Sequence, residues 1–193
     1  EKGVCSMNES TYSKAIMEVI NEFLTNDNWD YSFDEKNGLF KFSLDINNKI
    51  KMINYIIEIN DNSYVVYAIA PIGVNEEDKD MISEMVEFVC RANYGLKNGN
   101  FEFSMDDGTI FFKCFVDCSG ITPTNEIIKN SIYCPAAIFD HFGDGIIGII
   151  LEGMSGKKAL ESCINVYNKS LENELRSLIN ELSDRETADE LNS

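Results

Sequence analysis

The stretch Tyr31-Ser32-Phe33-Asp34-Glu35-Lys36-Asn37-Gly38-Leu39-Phe40-Lys41-Phe42 decides how this chain is read. Aromatic residues alternate with polar ones as far as Phe33, a polar run closes on Asn37-Gly38, and the alternation resumes through Phe40, Phe42 and Leu44. A period of two puts the apolar side chains on one face of a strand. Asn-Gly between such runs marks a tight hairpin, because both turn positions call for positive φ. Upstream, Tyr12, Ala15, Ile16, Val19, Ile20, Phe23 and Leu24 fall on one stripe of a helix that begins after Ser10 and stops near Asn26-Asp27-Asn28.

The same arrangement returns 70 positions later. Ile82, Met85, Val86, Val89 and Cys90 repeat the stripe of Tyr12, Ala15, Ile16, Val19 and Ile20. Phe101 and Phe103 stand for Tyr31 and Phe33, Asp107-Gly108 for Asn37-Gly38, and Ile110, Phe112 and Cys114 for Phe40, Phe42 and Leu44. The chain therefore reads as one helix-hairpin unit used twice. Between the copies, Met52 to Ile59 and Tyr64 to Ala70 form a further pair of strands turning at Asn60-Asp61-Asn62-Ser63. The second of these is apolar at every position and is expected to be covered on both faces, ending at Pro71. Short turns make the sheet mostly antiparallel with helices packed on one face, which is an α+β fold.

Beyond the second hairpin, Thr122-Pro123 opens a helix whose apolar stripe runs through Ile128, Ile132, Phe139, Phe142, Ile146 and Ile149 to about Leu151, bent at Pro135. Gly153 and Gly156 separate it from a last helix, Lys158 to Leu182. There Leu160, Ile164, Tyr167, Leu171, Leu175, Leu178 and Leu182 follow heptad-like spacing with one four-residue slip. The expected division is an α+β domain over 10–155, an appended helix over 156–183 and a disordered polar tail over 184–193.

The net charge of -17 excludes a phosphate-tracking surface, so neither nucleic acid nor an anionic membrane is an expected partner. No long uninterrupted apolar run or signal-peptide pattern is visible, and the expectation is a soluble cytoplasmic protein. Cys5, Cys90, Cys114, Cys118, Cys134 and Cys163 are scattered and fall partly on apolar positions, which reads as free buried thiols in a reducing compartment. The Cys114/Cys118 pair has no second pair or nearby histidine to complete a zinc site, and no metal is expected.

The strings that invite chemistry read as structure. Gly143-Asp144-Gly145-Ile146-Ile147-Gly148 has the dinucleotide-site spacing but sits inside a helical stripe, where small residues let another helix approach. Gly153 to Lys158 resembles a phosphate loop, yet Leu151 and Lys158 occupy two of its required positions; it reads as a helix break. Ser155 lacks the glycine spacing of a nucleophile elbow. His141, the single histidine, is expected to lie exposed beside the apolar stripe. The acidic clusters Asp34-Glu35 and Asp106-Asp107 read as turns, and Glu76-Glu77-Asp78 as a helix start. No catalytic, cofactor-binding or metal-binding residues are expected.

Four segments carry a resemblance: Tyr67-Ala68 with Ala70-Pro71; Asn93-Tyr94-Gly95-Leu96 with Gly99-Asn100-Phe101-Glu102; Asp107-Gly108 with Ile110; and Phe139-Asp140 with Phe142-Gly143-Asp144-Gly145. Over about residues 10–155 the chain resembles the YbjN-like domain family, described as bacterial sensory transduction regulators, and the Asn-Tyr-Gly-Leu segment is the most specific part. The resemblance implies a fold similar to type III secretion chaperones, small acidic dimers that bind protein segments, and it carries over no catalytic residue. Gly95 reads as a helix C-cap and Gly108 as a hairpin turn. The leading functional expectation is a non-enzymatic protein-binding module, chaperone-like or regulatory, acting as a homodimer on a protein or peptide partner. The alternative is a small-ligand sensor with a pocket between sheet and long helix, lined by Phe112 and Phe142. Self-association is expected through the helical surface of the C-terminal half.

Overall fold

The computed structural model of the chain describes residues 12–191, with side chains described as far as Ser177. Its elements are α1 (Lys14–Asn26), β1 (Tyr31–Asp34), β2 (Leu39–Asp45), β3 (Met52–Ile59), β4 (Ser63–Ile69), α2 (Lys79–Tyr94), β5 (Asn100–Phe103), β6 (Ile110–Asp117), α3 (Asn125–Glu152) and α4 (Gly156–Leu191). The six strands form one antiparallel sheet in the order β1-β2-β3-β4-β6-β5, so the fold is α+β and the two hairpins of the repeat stand at opposite ends of the sheet.

One row of paired residues crosses the whole sheet: Tyr31, Phe42, Tyr55, Ala68, Phe112 and Phe101. The alternation in each strand turns this row, with Phe40, Ile57, Val66 and Cys114 beside it, toward the helices, and these ten positions are buried apart from half-buried Tyr31. α3 lies over that face and contributes Ile128, Ile132, Phe139, Ile146 and Ile149. Phe101 meets Phe112, Phe139 and Phe142 edge to face, at centroid distances of 5.2, 5.3 and 5.9 Å. The opposite face carries Lys41, Glu58, Tyr67 and Lys113, and among the described residues no helix layer lies on it. There Val65 is buried and Tyr67 and Ile69 are half-buried, with Tyr67 held by Glu58 and Phe111 of the neighbouring strands, so β4 is the covered central strand expected.

Pro135 lies inside α3 and cannot donate to the helical ladder. Two strand tyrosines reach up to this point. The Tyr55 hydroxyl donates to the Ile132 carbonyl at 2.8 Å and is itself hydrogen-bonded by the backbone N–H of Ala136. The Tyr64 hydroxyl shares a 3.0 Å hydrogen bond with Ser131, which in turn donates to the Ile128 carbonyl. Burial raises both phenols, Tyr64 to about 12 and Tyr55 beyond it, so both stay protonated and able to donate.

The repeat holds in the hairpins to the residue. Phe33 pairs with Phe40 and Phe103 with Ile110; the Gly38 N–H donates to the Asp34 carbonyl and the Gly108 N–H to that of Ser104, at 2.8 and 2.9 Å. The glycines have φ of 66° and 72°, while Asn37 and Asp107 are not left-handed. These are therefore longer turns with one left-handed residue, not two-residue turns. In the helices the correspondence moves by one: Ile16, Ile20 and Phe23 match Met85, Val89 and Ala92 in burial, whereas Val86 and Cys90 are exposed. The connection before β5 is one residue longer than that before β1, and Gly99, at φ 71°, helps absorb the difference.

Element ends also move. Ser13 caps α1, leaving Tyr12 outside the helix with its hydroxyl on the Glu35 carbonyl; Ser10 lies outside the described residues. Thr124 caps α3, so Pro123 precedes the helix. α4 begins at Gly156 and continues to Leu191, well past Ser183, where a disordered tail was expected. α3 is, among the described residues, the one helix long and apolar enough to cross a membrane; 56% of its most apolar window is buried within the fold, as befits a core helix.

Replacing Gly108 by alanine forces a side chain into left-handed backbone and against the carbonyl of Val74, while the same change at Gly38 meets only the Tyr12 ring. Urea unfolding is expected to show Gly108→Ala losing at least about 2 kcal/mol, and Gly38→Ala losing less, because a ring can move where backbone cannot. Equal losses would contradict this account.

Candidate functional site

α2, α3 and α4 do not close on one another completely. Between them runs an apolar groove in two adjoining parts. One part, about 580 Å³, is lined by Cys90, Arg91, Tyr94, Phe142, Leu160 and Ile164; the other, about 370 Å³, by Leu96, Ile138, His141 and Tyr167. Ala92, Gly95 and Phe142 belong to both parts, which makes the groove continuous.

Small residues set the helix spacing that leaves this opening. At Gly145 a Cβ would run into Phe88 of α2 and Cys163 of α4, and at Gly156 into the backbone of Glu84 and Phe88. Gly145 thus allows the helix approach expected of the glycine string, while Gly143 admits the Asn48 side chain instead. The surrounding motif anchors the β2–β3 loop. Asn48 donates to the Phe139 carbonyl at 2.6 Å, and the Asn47 and Lys49 N–H groups donate to Asp140 and Asp144 at 3.1 and 2.9 Å. Asp140 and Asp144 are therefore used up in loop fixation. The Gly153 to Lys158 segment is a helix break, with Gly153 a left-handed cap at φ 67°, and the Glu84 carboxylate accepts from the Gly156 N–H at 2.8 Å. An anion already occupies the helix start that a phosphate would need.

His141 is not exposed as expected. It is half-buried on the groove wall, edge-on to Phe142 and Tyr167 at 4.2 and 4.9 Å, and burial lowers its pKa, which keeps it neutral at neutral pH. Phe142 lines the groove, but Phe112 is fully buried under Phe101, so the two do not form one pocket between sheet and helix. Gly95 caps α2 as read, but at φ −94° rather than in the left-handed region, and a Cβ there would meet nothing within 4 Å. What its smallness leaves is open groove. Asn93 explains its own place in the motif: its amide accepts from the Phe101 N–H at 2.7 Å and donates to the Phe101 carbonyl at 2.9 Å, clamping β5. Asp34, Asp107 and Asp117 all accept from turn N–H groups, and side-chain hydrogen bonds hold their carboxyls below the ordinary value. Asp78 caps α2, accepting from the Met81 N–H at 3.0 Å.

Sequence reading did not pick out Arg91, Tyr94 or Ala92 as a wall. The available signal was a Tyr beside Gly, both small or flat neighbours of a helix end; Tyr94 is 95% exposed.

Five cysteines are free, and Cys5 lies outside the described residues. Cys114, Cys118 and Cys163 are buried and Cys134 half-buried, while Cys90 stands exposed on the groove. Cys114 of β6 and Cys134 of α3 share a hydrogen bond; it raises Cys114, together with burial, and lowers Cys134. Among the described residues no group of three or more His, Cys, Asp or Glu is placed to hold a metal ion.

No protein-family model matches the chain, and no curated protein matches it.

The thiol pair gives a testable order of reactivity. In a Cys90→Ser background at neutral pH, Cys134 is expected to react with iodoacetamide ahead of Cys114, Cys118 and Cys163, because its thiolate is the favoured one. Cys114→Ala removes the supporting S–H, so the alkylation profile of Cys134 should move to higher pH. Peptide mapping reads both, and an unmoved profile would contradict the pairing.

Proposed function

We propose that this protein is a non-enzymatic protein-binding module, chaperone-like or regulatory in action, which takes an amphipathic segment into the groove between α2, α3 and α4. The observation carrying this reading is the groove itself: an apolar trench walled by Phe142, Leu160, Ile164 and Tyr94 on a chain of net charge -17. Helical peptides dock into such grooves through residues spaced three and four apart. The net charge of -17 on the chain as a whole favours a segment with basic residues on its polar face.

Two further features support the reading. Six acids, Asp34, Asp78, Asp107, Asp117, Asp140 and Asp144, are engaged in caps, turns and loop anchors, which favours a structural role for them. The resemblance of Asn93-Tyr94-Gly95-Leu96 to the YbjN-like family, and through it to homodimeric type III secretion chaperones, points to the same class, and Tyr94 and Gly95 line the groove. We assign the protein to the reducing cytoplasm because its described thiols are free and mostly buried.

The test uses a fluorescent amphipathic Leu/Lys peptide and its Leu/Glu counterpart. The basic peptide is expected to bind with Kd on the order of 10 μM and the acidic one far more weakly. Gly95→Phe fills the mouth where a side chain meets no neighbour. It should weaken binding about tenfold while leaving the melting temperature unchanged. Equal binding to the variant, or none to the basic peptide, overturns the proposal.

A further inference from the structure

α4 continues far beyond the body it packs on. Ala159 and Cys163 are buried, but every described side chain from Ile164 to Ser177 is exposed. These include Ile164, Tyr167, Leu171 and Leu175, at 43, 52, 40 and 58%. Most helical stability in proteins comes from packing of an apolar face, and an apolar stripe exposed along a helix calls for a cover.

Two properties of the sequence say what the cover is. The first is charge. From Gly156 to Lys169 the helix holds three lysines and one glutamate, net +2; from Ser170 to Leu191 it holds seven acids and two arginines, net -5. A parallel pair would set two acidic halves side by side, together with two acidic bodies. An antiparallel pair sets each acidic half against a basic one and holds the bodies at opposite ends of helices about 54 Å long. The second is symmetry. The apolar positions 164, 171, 175 and 182 are arranged symmetrically about Asn173, with Tyr167 and Leu178 each one residue from the same symmetry, so the stripe reads nearly alike from either end. An isologous two-fold contact requires that of a surface.

We infer that α4 pairs antiparallel with α4 of a second copy of this chain, centred near Asn173. In that register position 157 lies across from 189, a lysine from an aspartate, and 161 across from 185, a glutamate from an arginine. One like-charged pair, positions 172 and 174, falls beside the axis and works against the contact. The stripe has an 11-residue step, Ile164 to Leu175, and steps of that length straighten or reverse the left-handed coil of a strict heptad. The inference rests on the protein-binding reading and names the occupant of the α4 stripe; Ile164 and Tyr167, at the root of α4, belong to both the stripe and the groove.

The full chain at about 20 μM is expected to show a dimer mass by light scattering. Leu171→Glu with Leu175→Glu should give a folded monomer, with helix signal and melting temperature of the body retained, since both leucines are exposed. Orientation is read by carbodiimide cross-linking of mixed isotopically light and heavy protein. Light-to-heavy links joining Lys157 or Lys158 to Asp189 or Glu190 are expected. A monomer mass, or links that join only like ends of α4, overturns the inference. The Leu/Lys peptide assay separates this from the binding reading. A monomer that still binds the peptide leaves the groove in place and removes only the second copy, whereas a cross-linked dimer that ignores the peptide does the reverse.

Discussion

The seating of α3 on a single face of the sheet is the constraint from which the other features follow. Its buried isoleucines and phenylalanines each contribute roughly 1.5–3 kcal/mol of apolar transfer, and they are available only if six strands present their apolar residues in register. The row from Tyr31 to Phe101 supplies that register. Pro135 interrupts the helix over the middle of the row, where an unpaired carbonyl would be buried. Tyr55 and Tyr64 direct their hydroxyls at the turn before the proline, onto the Ile132 carbonyl and the Ser131 hydroxyl. A buried polar group left unmade costs more than a made one gains, so these two tyrosines fix the height and rotation of α3 as well as filling space.

Once α3 is fixed, the positions of the other helices are decided by what they meet on its outer side. Gly145 and Gly156 bring α2 and α4 close at one level, through Phe88 and Cys163. Toward the C-terminal end of α2 no such contact exists, and the helices diverge past Ala92 and Gly95. The groove opens beside Ala92 and Gly95, a Cβ at Gly95 having nothing within 4 Å. The same geometry shows where α4 leaves the body: Tyr167 still meets His141 of α3, and every described side chain beyond it is exposed.

Much of the fold was legible because it is written in short-range period. The hairpins, the strand pair between them and the α3 stripe repeat every two or three to four residues, and the 70-residue recurrence of the turns survives in the strand register. What was misplaced has physical causes. Matching the helices at 70 failed by one residue because the loop before β5 absorbs an insertion that periodicity does not register. His141 seemed free because a stripe says nothing of neighbours from another helix, and Tyr167 is 26 residues away in sequence.

The site was less legible than the fold, since a groove is made of what three helices fail to fill. Tyr94 and Gly95 stand at a helix end, and no pattern within α2 marks that end as one wall of a trench closed by Leu160 and Ile164. The C-terminal helix is the contrary case. Its stripe was visible in the sequence, and the open question was whether that stripe packs against α3. The burial pattern separates the two: the α3 stripe faces the sheet, whereas Leu171 and Leu175 of the α4 stripe are exposed. The core does not need those leucines. A helix whose apolar face is surplus to its own fold, and whose two halves carry opposite charge, is better explained by an interaction with another chain than by the stability of this one.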